Sequence, residues 1–281
     1  MDKTGKVLVS FNVKNGQYAL STGSPKPLTW MTSFAKEKNL TTKTINGDGE
    51  LQCSLVNDKG FTGTLGLTAQ DLEYNKDLGF MRTIDGGLAE IKQISVVEHS
   101  LYFETEYMGK DGVSKKKKVW VFGVEASAPS ETLSQNTDDI NESTVEYSIT
   151  IKGVPLKTAD GTANYVDPTS GQEIKCFTYS KIPTDTGYST FENSVPVPKV
   201  AETVTISATA GSNGSVSPSS ITVTKGSTVT ISGGTLTCDG KTITATPSSG
   251  YEVDSWSGLS NNASVSSNTS VSVSFAASST T

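Results

Sequence analysis

Histidine is almost missing from this chain, with His99 the single example. Cysteine is scarce too: Cys53, Cys176 and Cys238 lie far apart and form no CxxC pair. One imidazole and three isolated thiols cannot supply the ligand spacing of a structural zinc site, and an odd cysteine count does not make a disulfide framework. The thiols read as small hydrophobes, and no metal or cofactor is expected. Long apolar runs are missing, so no membrane span is expected. Only a short apolar stretch follows Met1 to Lys6, too small for a secretion signal, which leads us to expect a product made and kept in the cytoplasm. A basic excess is missing as well. The net charge of −6 and pI near 5.0 argue against a protein that grips nucleic acid through its phosphates.

The chemistry of catalysis is hard to assemble. Ser100 and Asp85 are the partners His99 has for a nucleophilic triad. Neighbours on a strand point to opposite faces, however, and no G-x-S-x-G elbow is present. Asp138 with Asp139, or Asp71 with Glu73, pair carboxylates in a loop and on a short helix, where solvated charge is expected. No Walker A or dinucleotide-binding glycine spacing occurs. We expect a protein without catalytic residues.

What is present is a change of composition near residue 200, at Val195-Pro196-Val197-Pro198-Lys199. From Thr203 onward only Lys225, Asp239, Lys241, Glu252 and Asp254 are charged, among many Ser and Thr. A Pro-rich segment favours polyproline II and acts as a stiff spacer. The expected organisation is a body over residues 1–198, a linker end over 199–203 and an appendage over 204–281.

The body reads as strands. Val7, Val9, Phe11 and Val13 alternate, and Asn15-Gly16 followed by Tyr18 to Leu20 predicts a hairpin. Leu51 to Val56 and Phe61 to Leu67 predict a second pair around Asn57 to Gly60. Thr68 as cap, Asp71 reaching back, a staple of Leu67 with Leu72, and Gly79 as stop predict a helix from Ala69 to Leu78. Glu98 to Met108 and Val119 to Val124 predict long strands joined through Gly109 to Gly112, and Val145, Tyr147, Ile149 and Ile151 predict one buried face. Ser130 to Ser143 and Thr158 to Gly171 read as loops. Short alternating runs at Val204-Ile206, Ile221-Val223, Val229-Ile231, Ile243-Ala245 and Val271-Phe275 predict an all-β appendage.

Lys115-Lys116-Lys117-Lys118 is the strongest charge run. Three readings are open: a solvated hairpin end that blunts a sheet edge, a contact to an acidic neighbouring subunit, and a phosphate contact. Asp138, Asp139 and Glu142 on another copy are candidate partners for it. In the appendage Tyr251 and Trp256 read either as core aromatics or as a glycan platform.

Two resemblances add to this reading. Residues 1 to about 195 resemble the major tail proteins, or tail tube proteins, of long-tailed phages, of the phi13-type family. The residues that carry the likeness are Val13 to Leu20, Gly47-Asp48-Gly49-Glu50, the helix after Thr68, Lys116 to Phe122, and Val145 to Ile151 followed by Gly153. Gly214 to Pro218, Lys225 to Thr230 and Ile243 to Trp256 resemble the divergent InlB-type B repeat, with Gly233 to Gly240 as an insertion-like departure that leaves the strand pairing there open. The resemblances imply a mainly β fold, a tail-tube-type β-sandwich or barrel with one short α-helix, plus a small all-β C-terminal domain. They imply hexameric rings stacked into a DNA-conducting tube, with self, a tape measure protein and tail terminator or distal tail proteins as partners. DNA would pass without specific binding, host surface glycans are a possible further contact, and the location would be the virion tail. The competing class is a bacterial surface adhesin-type binding protein.

Overall fold

The computed structural model describes residues 9–21, 23–48, 50–108, 112–132 and 144–278. Contacts divide the chain into two compact units. One runs to Lys157 and resumes at Asn164–Pro198; the other comprises Thr158–Ala163 and Lys199 onward.

The first unit contains β1 (Val9–Leu20), β2 (Lys26–Pro27), β3 (Met31–Gly47), β4 (Glu50–Leu67), helix α1 (Leu72–Asp77), β5 (Met81–Ile84), β6 (Gly87–Glu90), β7 (His99–Met108), β8 (Ser114–Ala126), β9 (Ser130–Thr132), β10 (Thr144–Ile151), β11 (Val154–Pro155), β12 (Lys175–Cys176) and β13 (Thr178–Lys181). Nine of these strands form one sheet, in the order β2-β1-β7-β8-β10-β4-β3, with β13 added to β8 and β9 to β10. The sheet curls without closing into a barrel, far enough for Phe34 of β3 to stack on Phe103 of β7 at 4.8 Å. Its concave face holds the main core, including Leu65, Leu101, Val121, Tyr147 and Ile151. Residues 145, 147, 149 and 151 share that face, as their alternation predicts. The convex face of β7 and β8 carries Tyr102, Trp120 and Phe122, which Phe191 covers in a second core. The indole of Trp120 donates to the Phe191 carbonyl at 2.8 Å.

Three expectations are corrected here. Asn15-Gly16 does not turn the chain: β1 runs on to Leu20, paired with β7 throughout. A type I′ turn needs two successive residues at positive φ. Asn12 and Asn15 adopt it singly, at 60° and 54°, and the register shifts there as bulges. Asn57 to Gly60 is likewise no turn. Gly60 at φ 88° accompanies a register shift between Lys38 and Leu40, its N–H donates to the Asp58 carboxylate at 2.9 Å, and β4 continues beyond it. A Cβ at Gly60 would lie 2.1 Å from the Ile151 carbonyl, so only glycine fits this bulge. The helix, thirdly, starts at Leu72. Asp71 is the cap, accepting the Tyr74 N–H at 3.0 Å, and it also accepts the Thr29 N–H and hydroxyl. Leu67 is core while Leu72 is exposed, so no staple forms. Gly79, at positive φ, follows the end of the helix as predicted.

The Pro-rich segment is not a free spacer. Val195 to Pro198 line a cavity of about 350 Å³ with Ala19, Phe122 and Val154 of the same unit, and the Pro198 carbonyl accepts the Lys157 N–H at 2.9 Å. Apolar Val and Pro lose more water by packing there than an extended spacer would allow.

The second unit contains β14 (Thr203–Ala210), β15 (Gly214–Ser217), β16 (Ser220–Thr224), β17 (Val229–Ser232), β18 (Thr235–Cys238), β19 (Lys241–Pro247), β20 (Tyr251–Ser257) and β21 (Thr269–Ala277). They form two four-stranded sheets, β16-β14-β21-β20 and β15-β19-β18-β17. Ile206, Val223 and Val271 from one and Val229, Leu236 and Ile243 from the other build a single core. The Gly233 to Gly240 stretch supplies β18, paired on both sides.

Candidate functional site

Four successive lysines on a strand must alternate between faces. Lys115 and Lys116 are exposed, Lys117 is half-buried and Lys118 is buried at 6% exposure. Lys118 sits on the convex face beside Trp120. Its ammonium pairs with Glu192, donates to the Tyr188 carbonyl at 3.0 Å and lies 4.5 Å from the centre of the Tyr188 ring. Partial burial is the largest single influence on the Glu192 carboxyl and pushes its pKa up, but the Lys118 hydrogen bond, a backbone hydrogen bond and the Lys118 charge together hold it below the usual value. The Lys118 ammonium, expected with the rest of the run as a contact to another subunit, is engaged inside its own fold. Asp138, Asp139 and Glu142, the expected acidic partners of the run, lie outside the described residues.

One exposed feature of the first unit went unread in the sequence. β3 and β4 pair from Met31↔Leu67 to Gly47↔Glu50. β10 covers β4 only from Phe61 to Leu67. Beyond that point the two strands continue alone, for about 30 Å at strand rise. Side chains on both faces of this ribbon are exposed, among them Leu40, Ile45, Leu55 and Val56. The signal was Asn46-Gly47-Asp48-Gly49, two hairpin dipeptides between β-branched runs.

His99 is structural. It is 2% exposed, with its Nε2 2.8 Å from the Tyr74 hydroxyl and its Nδ1 3.2 Å from the Val97 carbonyl. A carbonyl only accepts, so Nδ1 carries the proton and Nε2 accepts from Tyr74. Ser100 is its neighbour on β7, and Asp85 is an exposed residue at positive φ beyond β5. Burial lowers the imidazole pKa from 6.5 to about 4. Between those values the unfolded chain binds a proton that the folded chain does not, so stability is full above pH 6.5 and falls as the pH drops to 4. The expected loss is about 3 kcal/mol. Urea unfolding of wild type and His99→Gln across that range checks it: the wild type should lose more stability than the variant, and parallel loss would exclude His99 as the group responsible.

In the second unit Trp256 is half-buried against the core and its indole donates to the Gly233 carbonyl at 3.1 Å. Tyr251, also half-buried, lies outside that cluster at the start of β20. Trp256→Ala is expected to cost about 2–3 kcal/mol in this unit, somewhat less than a fully buried aromatic. A lower unfolding midpoint for a fragment from Lys199, followed by circular dichroism because the variant has no indole, would report it. An unchanged midpoint would return Trp256 to the surface role.

Among the described residues no three His, Cys, Asp or Glu are placed to hold a metal, and no helix is long and apolar enough to cross a membrane.

The C-terminal unit has a counterpart among known families. Residues 204–281 match the divergent InlB B-repeat domain. The B-repeat match covers the whole run of strands from Val204, including the β18 hairpin that departs from the pattern. No curated protein matches the chain. A chain from the cryo-electron microscopy structure of the anti-feeding prophage baseplate, six-fold symmetrised, is similar over 48% of this chain and 86% of its own, at 5% identity and a TM-score of 0.28. A score that low does not establish a shared fold.

Proposed function

We propose that the chain is a structural subunit that assembles with copies of itself, specifically the major tail tube protein of a long-tailed phage. The observation that carries this is the β3–β4 ribbon. A two-stranded ribbon alone in water is marginally stable, and this one exposes Leu40, Ile45, Leu55 and Val56, with no further strand paired to either side among the described residues. Its open edges offer rows of backbone donors and acceptors that a second chain can pair with. A heterologous contact of this kind closes into rings or propagates as a filament. The tail-tube resemblance of the first unit supports hexameric rings stacked around a lumen. A net charge of −6 fits a wall that DNA passes without sticking.

In this reading the partners are other copies of the chain, a tape measure protein and the tail terminator or distal tail proteins, and the location is the virion tail. The B-repeat-like unit favours a second role: weak contact with host surface glycans, strengthened by the many copies along a tail. That unit also fits the alternative, a bacterial surface adhesin-type binding protein.

Negative-stain electron microscopy of concentrated full-length protein tests the proposal. Rings or tubes are expected, and monomers at every concentration would overturn it. A chain ending at Lys199 should still form tubes while binding host cells less well. Loss of tubes on that truncation would place the B-repeat-like unit in the assembly contact instead.

A further inference from the structure

The open end of the curled sheet forms a groove of about 500 Å³ whose floor is Phe34, Phe103 and Val119. Lys36, Thr105, Lys117, Thr178 and Ser180 supply its polar lining. Thr105 is 9% exposed, yet among the described residues its hydroxyl has no hydrogen-bond partner, a rare condition for a buried oxygen. Nearby, Lys38 is neutralised by Asp58 at 2.6 Å. Among the described residues no carboxylate pairs with Lys36 or Lys117. Partial burial lowers the Lys36 pKa, and the like charges of Lys117 and Lys38 lower it further. The groove thus gathers cations without their anion, an unused hydroxyl and an apolar floor.

We propose that this groove binds a carboxylate on an apolar stem, supplied by an Asp or Glu side chain of a second copy of the chain. The carboxylate oxygens would accept from Lys36, Lys117 and the Thr105 hydroxyl, while the methylene stem lies on the two phenylalanine rings. A bare inorganic anion would leave that floor uncovered. Charge complementarity favours a second copy as the source, since the chain carries 29 acidic against 23 basic residues. The inference rests on the self-assembly reading and names one of its contacts.

Zero-length carbodiimide coupling tests it on full-length protein mixed from ¹⁴N- and ¹⁵N-labelled preparations. The expected result is a mixed-isotope amide between Lys36 or Lys117 and an Asp or Glu of the other copy, read by mass spectrometry. Lys36→Gln with Lys117→Gln should raise the concentration needed for assembly by about tenfold, most strongly at low salt. Thr105→Val keeps the side-chain shape and should leave the urea midpoint intact while raising that concentration a few-fold, which keeps the test decisive if the double variant folds poorly. Assembled protein with no intermolecular amide at either lysine, and variants that assemble at wild-type concentration, would overturn the inference and leave the assembly reading standing. A chain that sediments as a monomer throughout would overturn both. Hexanoate protecting Lys36 from acylation in a monomer would identify a free organic acid as the ligand and overturn the second-copy source.

Discussion

A chain lacking Thr42 to Val56, with the paired residues Thr41 of β3 and Asn57 of β4 rejoined through Asn-Gly, should fold normally and fail to assemble. The excised residues are exposed on both faces wherever their burial is described, so their removal takes little from either core. Asn-Gly supplies the type I′ turn that a two-residue connection demands. The unfolding midpoint should stay within about 0.5 kcal/mol of wild type, as for surface changes away from packed sites. Assembly should vanish, because the apolar ribbon and its open strand edges leave together. A milder version, Leu55→Lys with Val56→Lys, keeps the ribbon and adds one charge to each of its faces; it should raise the assembly concentration by about tenfold or more. Sedimentation velocity reads both. If the shortened chain assembles like wild type, the ribbon is not the contact, and the tube proposal loses its main support.

Lys118→Ala should be the most damaging substitution in the lysine run. The side chain is buried at 7% exposure, and the ammonium holds the Glu192 carboxylate and the Tyr188 carbonyl together over the second core. Removing it deletes a hydrogen-bonded cation and opens a void against the Tyr188 ring. Breaking a buried ion pair costs about 3–5 kcal/mol, and the 29% exposure of Glu192 reduces that to about 2–3 kcal/mol. Lys116→Gln, one turn of the pleat away on the exposed end, should change stability by less than about 0.5 kcal/mol. Denaturant midpoints of the two single variants separate the cases. Replacing all four lysines by Gln would therefore destabilise the fold, so its effect on assembly could not be assigned to an interface. Equal midpoints for the two single variants would show that Lys118 contributes only a surface charge.

The sequence by itself determined the class of structure. Alternation at period two put Val145, Tyr147, Ile149 and Ile151 on one buried face, because successive side chains on a strand must point to opposite sides. The appendage strands were legible for the same reason, since short alternating runs between Gly, Ser and Pro have few other ways to bury their Val and Ile. Local chemistry also placed the helix stop, where Gly79 takes the left-handed conformation. What failed was the reading of Asn-Gly and Asp-x-Gly signals. Asn15-Gly16 and Asp58-Lys59-Gly60 carry turn residues, but a partner strand on both sides of each converts the positive-φ residue into a bulge within a continuing strand. The partner is β7, about ninety residues ahead, for Asn15-Gly16 and β3, about twenty residues back, for Asp58 to Gly60, and neither is visible in the local pattern. Only the tertiary structure separated four identical lysines into exposed, half-buried and buried ones. Alternation sends Lys118 to the convex face, and whether that face is wet or covered depends on Tyr188, Phe191 and Glu192 returning over it. The lysine groove was hidden in the same way: Lys36, Thr105 and Lys117 meet because the sheet curls, and curvature is a property of the whole sheet rather than of any one strand.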